Sequence, residues 1–546
     1  MKDKGRMTQR FLLPRFLLPV LPLCLLLLSP KAAQAQGCLH TDGHAEHQGI
    51  TVDGKQYSCG THYMTEGFDH EAAIEQTRIN APEVYRMMIE QQKNGVPTPR
   101  STARYDIVLP FFVNDRSNPG QYTTIEAGLA YDGDSILIWV DVRDTGRIRE
   151  STIDALAKGI EDEVPDRAYT RDANTGLLYN DIAIFGRPPF DTKYDPSGRV
   201  LCSFLLTRID EGDLTGGVIS GYFSPWDQTT NLGSNETNLL YIDAEQALRF
   251  QSAAEITNVL GTMAHELQHL INHNRYTGAP SDRSAHFIYN EGLSEVASIR
   301  NGFTDRSAAN VMSNPNQDSY FERPSNGTDG AALLRAYSRA MLWTHYISER
   351  YGDGLLFDLT AAGGVGLEPL GRALATTNIS DDPKEIYADF WMANYNGATD
   401  AVEDRYHYDF SVLGRTMSRK TETSVPSSPK MIEENLVAYG AYAHRVINQT
   451  PGEKGMKVTI GQGQRDYAVR MVKLDEFGGT TVSTMAPGES QTFERFISLG
   501  IVVVNLAGDG NNISFTMESV TLGVEDFATA PGALALTDVA PNPMSG

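Results

Sequence analysis

Hydrophobic positions in the middle of the chain repeat with the period of an α-helix. Between residues 255 and 275, apolar side chains recur at offsets that place them on one buried face. These residues are Ile256, Val259, Leu260, Met263, Leu267, Leu270 and Ile271. The same reasoning, with glycines as helix ends, predicts further helices over residues 82–93, 151–164, 287–299, 330–351 and 383–395. The central part of the chain is therefore predicted to be helical.

Short runs of β-branched and aromatic residues predict strands on both sides of these helices. Before the central helix the runs cover residues 105–113, 136–142, 181–185, 200–207, 217–223 and 238–243. After the helices they cover residues 436–446, 456–461, 467–473, 480–485, 497–506 and 514–520. Gly, Asn and Asp turns separate the second group at the spacing of a β-sandwich. The pattern predicts an α+β protein in which a mixed domain precedes a C-terminal β-sandwich.

The first 35 residues have the features of a signal peptide. A basic start is followed by an apolar run of thirteen residues, 16–28, and by the cleavage-type sequence Ala33-Gln34-Ala35. The run is too short and too interrupted by proline to span a membrane, and no other run approaches that length. We expect an exported, secreted protein. Retention at the cell surface stays open, and lipid attachment at Cys38 is the alternative to a plain secretion signal.

The remaining residues divide by composition into five parts. Residues 36–100 form an N-terminal segment, either a pro-segment or a strap, and residues 101–400 form the mixed α/β and helical domain. Residues 401–433 are a predicted linker, and residues 434–522 are the predicted β-sandwich accessory domain. Residues 523–546 read as a C-terminal linker or a truncated sorting segment.

Charge and cysteine content narrow the range of partners. A formal net charge of −23 argues against nucleic acid and anionic membranes. It is compatible with bound calcium as an additional cation. Export permits disulfides, and Cys38 and Cys59 are close enough in sequence to form a local one. Cys202 lies in an apolar run and is expected to be a buried thiol.

The strongest chemical signal is the sequence His265-Glu266-Leu267-Gln268-His269. Residues four apart lie on one face of a helix, so both imidazoles can reach one metal ion. Glu266 is rotated by about 100° and can reach a water molecule on that ion without binding it. Catalytic zinc takes three protein ligands. Glu291, in the downstream sequence 290–295 (NEGLSE), is the candidate for the third.

Two histidines compete with Glu291 as third ligand. His273 lies one turn beyond His269 but roughly 80° out of line with His265, so a helix-end histidine is the simpler interpretation. The three-histidine pattern HExxHxxGxxH fails because Asn272 and Arg275 occupy the required positions. His286 lies closer to a predicted loop than to a ligand position.

The two motifs together resemble those of the gluzincin zinc metallopeptidases, and the order of elements is similar to that of the hyicolysin-type secreted bacterial peptidases. The resemblance covers roughly residues 100–400. It implies a zincin-like fold, Glu291 as the third zinc ligand, and Glu295 as the carboxylate that orients a ligand histidine. Glu295 departs from the aspartate usual at that place. The resemblance also implies an oxyanion donor from the helical lobe, for which Tyr337 is the best match and Tyr346 and His345 are rivals.

This resemblance implies a secreted zinc endopeptidase that cleaves protein or peptide substrates with a zinc-activated water and Glu266 as general base. One alternative is a zinc aminopeptidase, although the GxMEN motif that holds a free amine in those enzymes is missing from the sequence. The other is a secreted surface-binding protein, or adhesin, with an inactive zincin domain. The C-terminal β-rich region favours some binding role beside catalysis.

Overall fold

The computed structural model describes residues 51–522, apart from residues 53–54, 60, 62–64, 66–67, 95–102, 116–117, 119, 192–197, 210–216, 280–285, 304–313, 317–320, 322–329, 398–400, 410–416 and 464. The predicted signal peptide, Cys38 and the C-terminal segment lie outside the described residues. The described part is α+β, which confirms the predicted class.

An eight-stranded mixed sheet forms the first half of the described chain. Its strands lie side by side in the order β1-β2-β7-β8-β6-β5-β4-β3. In sequence they are β1 (Thr51–Val52), β2 (Lys55–Cys59), β3 (Val108–Asn114), β4 (Tyr122–Asp132), β5 (Ile136–Asp141), β6 (Cys202–Thr207), β7 (Gly217–Phe223) and β8 (Leu239–Asp243). The strand β2 pairs in parallel with β7, and β7 pairs in antiparallel with β8.

The described part contains the six predicted helices and three further ones. In chain order the helices are α1 (His70–Asn80), α2 (Pro82–Asn94), α3 (Glu150–Glu161), α4 (Leu177–Phe185), α5 (Ala253–Arg275), α6 (Phe287–Arg300), α7 (Gly330–Ala361), α8 (Glu368–Thr376) and α9 (Pro383–Asn396). The three further helices are α1, α4 and α8. The helix α7 is kinked at Gly352, whose φ of 70° is not helical, directly after the predicted end at residue 351. The helix α5 begins at a capping box: Ser252 accepts a hydrogen bond from the Glu255 amide, and the Glu255 carboxylate accepts one from the Ser252 amide.

Both faces of the central strands are buried. Successive side chains of a strand point to opposite faces, and in β5 Ile138 belongs to the same hydrophobic core as Met263 and Leu267 of α5. The neighbouring Trp139 joins a second core on the opposite face, with Phe111 and Tyr241. The predicted apolar face of α5 is thus packed against the sheet. This packing determines which residues of α5 face away from the sheet.

Two further sheets follow the helices. One has the order β10-β17-β12-β15 and the other β14-β13-β16-β11-β9, and residues of both share one hydrophobic core. Their strands are β9 (Lys420–Glu422), β10 (Lys430–Leu436), β11 (Ala441–Ile447), β12 (Lys454–Ile460), β13 (Tyr467–Asp475), β14 (Thr480–Met485), β15 (Ser490–Phe493), β16 (Phe496–Asn505) and β17 (Asn511–Thr521). The strand β9 lies within the predicted linker and pairs in parallel with β11.

Two strand predictions are wrong. Residues 181–185 belong to the helix α4, because the apolar stripe begins earlier, at Leu177 and Leu178, and has helical period. The predicted strand 436–446 is two strands, since β10 ends at Leu436 and β11 begins at Ala441. Among the described residues, no helix is long and apolar enough to cross a membrane. The predicted domain boundaries are not tested and stay predictions.

Candidate metal centre

Two neighbouring helices carry the residues that the sequence singles out. His265, Glu266 and His269 lie on α5, whereas Glu291 and Glu295 lie on α6, and all five are buried. The helices approach closely at Gly261, whose carbonyl oxygen accepts a hydrogen bond of 2.7 Å from the Ser298 hydroxyl. This contact holds the two motifs side by side, although they are about twenty residues apart in sequence.

The three predicted ligands converge on one point. The Nε2 atoms of His265 and His269 are 3.1 Å apart, and they lie 3.3 and 3.5 Å from Oε2 of Glu291. A tetrahedral zinc ion with bonds of about 2.0–2.3 Å places its ligand atoms roughly 3.3–3.6 Å apart. The two distances to Glu291 lie in this range, and the distance of 3.1 Å between the imidazoles is slightly shorter, so the group is close to the size that a tetrahedral site requires.

A fourth donor, which the sequence analysis did not identify, completes the group. The Sγ atom of Cys59, at the end of β2, lies 3.4 Å from Nε2 of His269. The ligand atoms of Cys59, His265, His269 and Glu291 all lie within 4.8 Å of one another and are buried. This group could hold a metal ion. Among the described residues it is the group of His, Cys, Asp and Glu side chains that lie close enough together to do so.

Cys59 is a free thiol in the part of the chain that the structure describes, and Cys38, its partner in the predicted disulfide, lies outside that part, so the disulfide stays a prediction. Cys59 and the two histidines are separated by about 200 residues in the sequence. No local sequence pattern therefore indicated that Cys59 lies beside them. The expectation for Cys202 is confirmed: it is a buried free thiol.

Glu266 lies beside this group and is itself completely buried. Its Oε2 accepts a hydrogen bond of 2.9 Å from the Thr61 hydroxyl, and that hydroxyl in turn accepts one of 2.9 Å from the Phe223 amide. Its Oε1 is buried and has no hydrogen-bond partner among the described residues. A buried carboxylate oxygen without a donor is costly, and a water molecule or substrate group at the centre would relieve that cost.

A second set of polar groups orients the two imidazoles. Oε1 of Glu295 lies 3.4 Å from Nδ1 of His265. Nδ1 of His269 faces Oδ1 of Asn290 at 3.2 Å and the Ser294 hydroxyl at 3.1 Å. Partners on the far nitrogen fix the tautomer of a ligand histidine and direct Nε2 to the metal. The motif on α6 thus supplies both a candidate ligand and the groups that hold the histidines.

Electrostatics at the site favour a cation. Burial, with the negative charges of Glu266 and Glu291, raises the pKa of the Cys59 thiol well above its usual range. Burial lowers the pKa of His265, but the hydrogen bond to Glu291 and the nearby carboxylates outweigh it and raise the pKa. A bound divalent cation reverses the effect on the thiol, because metal-coordinated thiols lose their proton. The donor set of two imidazoles, a thiol and a carboxylate suits zinc.

Tyr337, the predicted oxyanion donor, lies next to this group on α7. Its hydroxyl donates a hydrogen bond of 3.2 Å to the carbonyl oxygen of Cys59, and its ring centre is 6.4 Å from that of His265. Its two rivals have other contacts. The Tyr346 hydroxyl donates to the carbonyl oxygen of Arg405, and Nε2 of His345 lies 3.1 Å from a carboxylate oxygen of Glu349.

The rival third ligands line a cavity beside the centre. His273 and His286 face a space of about 120 Å³ that Phe223, Tyr276 and His269 also border. Neither belongs to the group of potential metal ligands found among the described residues. At the cavity wall, His273 and His286 would lie near a molecule bound at the metal centre, but they are not part of the centre.

Comparison with known proteins gives no relative of the whole chain. No family model matches the sequence, and no curated protein matches it. Several solved structures match short parts of the chain. The periplasmic inhibitors of g-type lysozyme PliG from Aeromonas hydrophila and Salmonella Typhimurium have 10% and 9% identity over 19% of this chain and 100% of theirs, with TM-scores of 0.14 and 0.15. A de novo designed double-stranded β-helix has 22% identity over 17% of this chain and 99% of its own, with a TM-score of 0.12. Similarities of this size carry no argument about fold or function.

Proposed function

We propose that this chain is a secreted zinc-dependent endopeptidase of the gluzincin type. The observation that carries the proposal is the convergence of His265, His269 and Glu291 at tetrahedral separations, with the carboxylate of Glu266 beside them. Glu266 is not needed to complete the ligand set, since Cys59 already supplies a fourth donor. A buried, partly unpartnered carboxylate next to a metal centre has the position expected of a general base.

The roles follow from the geometry of these residues. His265, His269 and Glu291 would hold the zinc ion, which supplies Lewis acidity and an acidified water molecule when bound. Glu266 accepts the proton of the attacking water and passes it to the amine of the leaving peptide. Glu295 keeps Nε2 of His265 directed inward. Tyr337, as a neutral O–H donor, stabilises the negative charge that develops on the scissile carbonyl oxygen.

The strand β7 is the proposed partner of the substrate backbone. It runs past Glu266 closely enough that a Cβ atom at Gly221 would lie 3.2 Å from Cγ of Glu266. An extended peptide can add to a sheet edge through its backbone, and β7 becomes such an edge when its neighbour β2 is displaced. A site that recognises backbone in this way suits cleavage within a chain, which favours an endopeptidase over an aminopeptidase.

The remaining architecture is proposed on the same grounds. The mixed sheet with α5 to α9 forms a zincin-like catalytic domain, and the two C-terminal sheets form a β-sandwich accessory domain that binds a substrate or a surface. The signal peptide exports the chain, so proteins outside the cell are the proposed substrates. Calcium is proposed only as an additional structural cation.

Hydrolysis of an unfolded protein such as casein tests this proposal. The zinc-loaded chain should release peptides, and both a zinc chelator and Glu266→Gln should abolish the release while Glu266→Gln keeps its zinc. His265→Ala should lose zinc as well as activity. Peptide release by Glu266→Gln at the normal rate would overturn the role of Glu266.

A second candidate is a surface-binding protein with a structural metal site. The observation that favours it is Cys59, because structural zinc sites have four protein ligands whereas catalytic sites keep one position open. The two candidates differ in what happens when Cys59 is removed. A structural site becomes weaker, and a catalytic site becomes accessible.

A further inference from the structure

The metal centre is closed by an early part of the chain that lies next to the edge of the eight-stranded sheet. We call this part the covering segment and define it as β2 (Lys55–Cys59) together with Thr61. It makes three separate contacts with the proposed machinery: with the ligand group, with Glu266 and with Tyr337. Each contact occupies a position that a peptide substrate needs.

The first contact is at the fourth coordination position. The Sγ atom of Cys59 lies 3.4 Å from Nε2 of His269 and within 4.8 Å of the other two ligand atoms. The register of β2 against β7 shifts between Ser58 and Cys59, so that Ser58 is opposite Ile219 and Cys59 is opposite Gly221. Such irregularities redirect a side chain at the end of a strand. A thiolate at this position leaves no place for a catalytic water.

The second and third contacts engage the groups that would act on the substrate. The Thr61 hydroxyl donates to Oε2 of Glu266, which is the proposed general base. The Tyr337 hydroxyl donates to the carbonyl oxygen of Cys59, which takes the place of a scissile carbonyl oxygen. A structural metal site would need neither contact, because neither residue belongs to the ligand set.

The backbone of the covering segment also occupies the edge of β7. Residues 56 to 59 pair in parallel with β7, and among the described strands only the two-residue strand β1 lies beyond β2 in the sheet. Glu266 and Glu291 have no exposed surface in this arrangement. A protein substrate cannot reach a fully buried base, and Thr61 of the covering segment contacts that base, so hydrolysis at this site requires the covering segment to leave. A short edge strand is suited to such local opening, because few backbone hydrogen bonds hold it.

We propose that the covering segment is an internal inhibitor, in which the Cys59 thiolate is the fourth ligand of the metal ion and keeps the peptidase latent. This inference rests on the proposed function and adds its regulation. With a metal ion bound, opening would exchange the Cys59 sulfur for a water molecule, and the released thiolate would take up a proton from the solvent, so no oxidant or reductant is needed. The substrate then adds to β7 in place of β2.

The test uses the full chain loaded with Co²⁺, together with Cys59→Ala and a matched control, Cys202→Ala. Cys202 is also a buried free thiol, but it lies on β6 and outside the ligand group. We expect a near-ultraviolet sulfur-to-cobalt charge-transfer band in the unmodified chain and in Cys202→Ala. The band should be lost in Cys59→Ala while the bound cobalt stays at one equivalent, because three ligands remain.

The same proteins, loaded with zinc, are assayed on casein. A segment that is closed in nine-tenths of the molecules lowers activity tenfold, so Cys59→Ala should hydrolyse casein at least about tenfold faster than the unmodified chain. Cys202→Ala should not differ from the unmodified chain. Cys59→Ser gives a second variant of nearly unchanged side-chain size, which should also release the inhibition.

The outcomes separate this inference from the proposed function. A cobalt-loaded chain without the charge-transfer band overturns Cys59 as a ligand. Equal, measurable hydrolysis by the unmodified chain and Cys59→Ala overturns the inhibition but supports the peptidase. A band that depends on Cys59, with hydrolysis by none of the variants, supports the ligand and overturns the proposed function.

Discussion

The close contact between α6 and α7 gives a prediction whose size follows from the structure. Gly292 lies on α6 between Glu291 and Glu295. A Cβ atom there would lie 2.5 Å from the backbone oxygen of Ala340 and 2.5 Å from the Thr344 hydroxyl. Non-bonded contacts below 3.0 Å do not occur for real Cβ atoms, so Gly292→Ala must separate the two helices by at least about 0.5 Å.

This displacement should affect both stability and metal binding. Overpacking of this kind costs about 1–3 kcal/mol of the free energy of unfolding. Because Gly292 follows Glu291 directly, the carboxylate moves with the helix backbone. Metal sites tolerate deviations of only about 0.2 Å in ligand distance, so we expect zinc affinity to fall at least about tenfold.

Urea unfolding of the metal-free protein and zinc titration against a competing chelator measure the two effects. Gly354→Ala is the matched control, since a Cβ atom at Gly354 meets nothing within 4 Å. The control should be unchanged or more stable by up to about 1 kcal/mol, with normal zinc affinity. If Gly292→Ala were as stable as Gly354→Ala and bound zinc equally well, the close packing would not position Glu291.

Three further predictions concern other parts of the molecule. Glu295→Gln should weaken zinc binding about 10–100-fold, because the amide orients His265 less well than the carboxylate does; an unchanged affinity in the chelator titration would refute this. Burial raises the pKa of Asp227 to about 6, whereas the pKa in an unfolded chain is about 4. The folded state therefore binds the proton of this carboxyl more tightly. The resulting contribution to stability is fully present below about pH 4 and is lost as the pH rises through 6. Asp227→Asn should therefore remove about 3 kcal/mol of pH dependence from the unfolding free energy measured between pH 4 and 7, and an unaltered pH profile would count against the assignment. Arg470 of β13 donates a hydrogen bond of 2.7 Å to Asp389 of α9, and both are buried. Arg470→Ala leaves that buried carboxylate with the more distant Arg405, whose Nη1 lies 4.0 Å from Oδ2 of Asp389, and should cost about 3 kcal/mol in urea unfolding, whereas a loss below 1 kcal/mol would contradict a structural role for the pair.

The elements that carry the candidate site could be predicted because their signals are local. The apolar stripe from Ile256 to Ile271 has helical period, and the residues His265 and His269 lie one turn apart on that helix. The downstream motif with Glu291 and Glu295 also lies on a helix, as expected. The roles of these residues in metal binding and catalysis stay predictions, which the experiments above test.

Cys59 could not be assigned to the site from the sequence. Its position depends on the parallel pairing of β2 with β7, strands that are separated by about 160 residues. Such pairing is decided by the topology of the sheet rather than by neighbouring residues. A cysteine in an exported chain suggested a disulfide instead, because compartment and spacing were the available signals.

The error at residues 181–185 has a similar physical origin. A short apolar run is compatible with a buried strand and with a buried helix. The helix α4 becomes evident only when Leu177 and Leu178 are included, because together with Ile184 and Phe185 they form one helical face. The glycine at 186, with a φ angle of 101°, then ends the helix.

The most direct test of the account compares Cys59→Ala with Cys59→Ala/Glu266→Gln, both loaded with zinc, in the hydrolysis of unfolded casein. On the proposed inhibition, removal of Cys59 releases the covering segment in both variants, so any difference between them belongs to Glu266. We predict that both bind one equivalent of zinc and that the double variant is slower by about 10²–10⁴-fold. Equal rates, or hydrolysis by neither variant at full zinc content, would contradict the claim that this centre is a peptidase with Glu266 as its base.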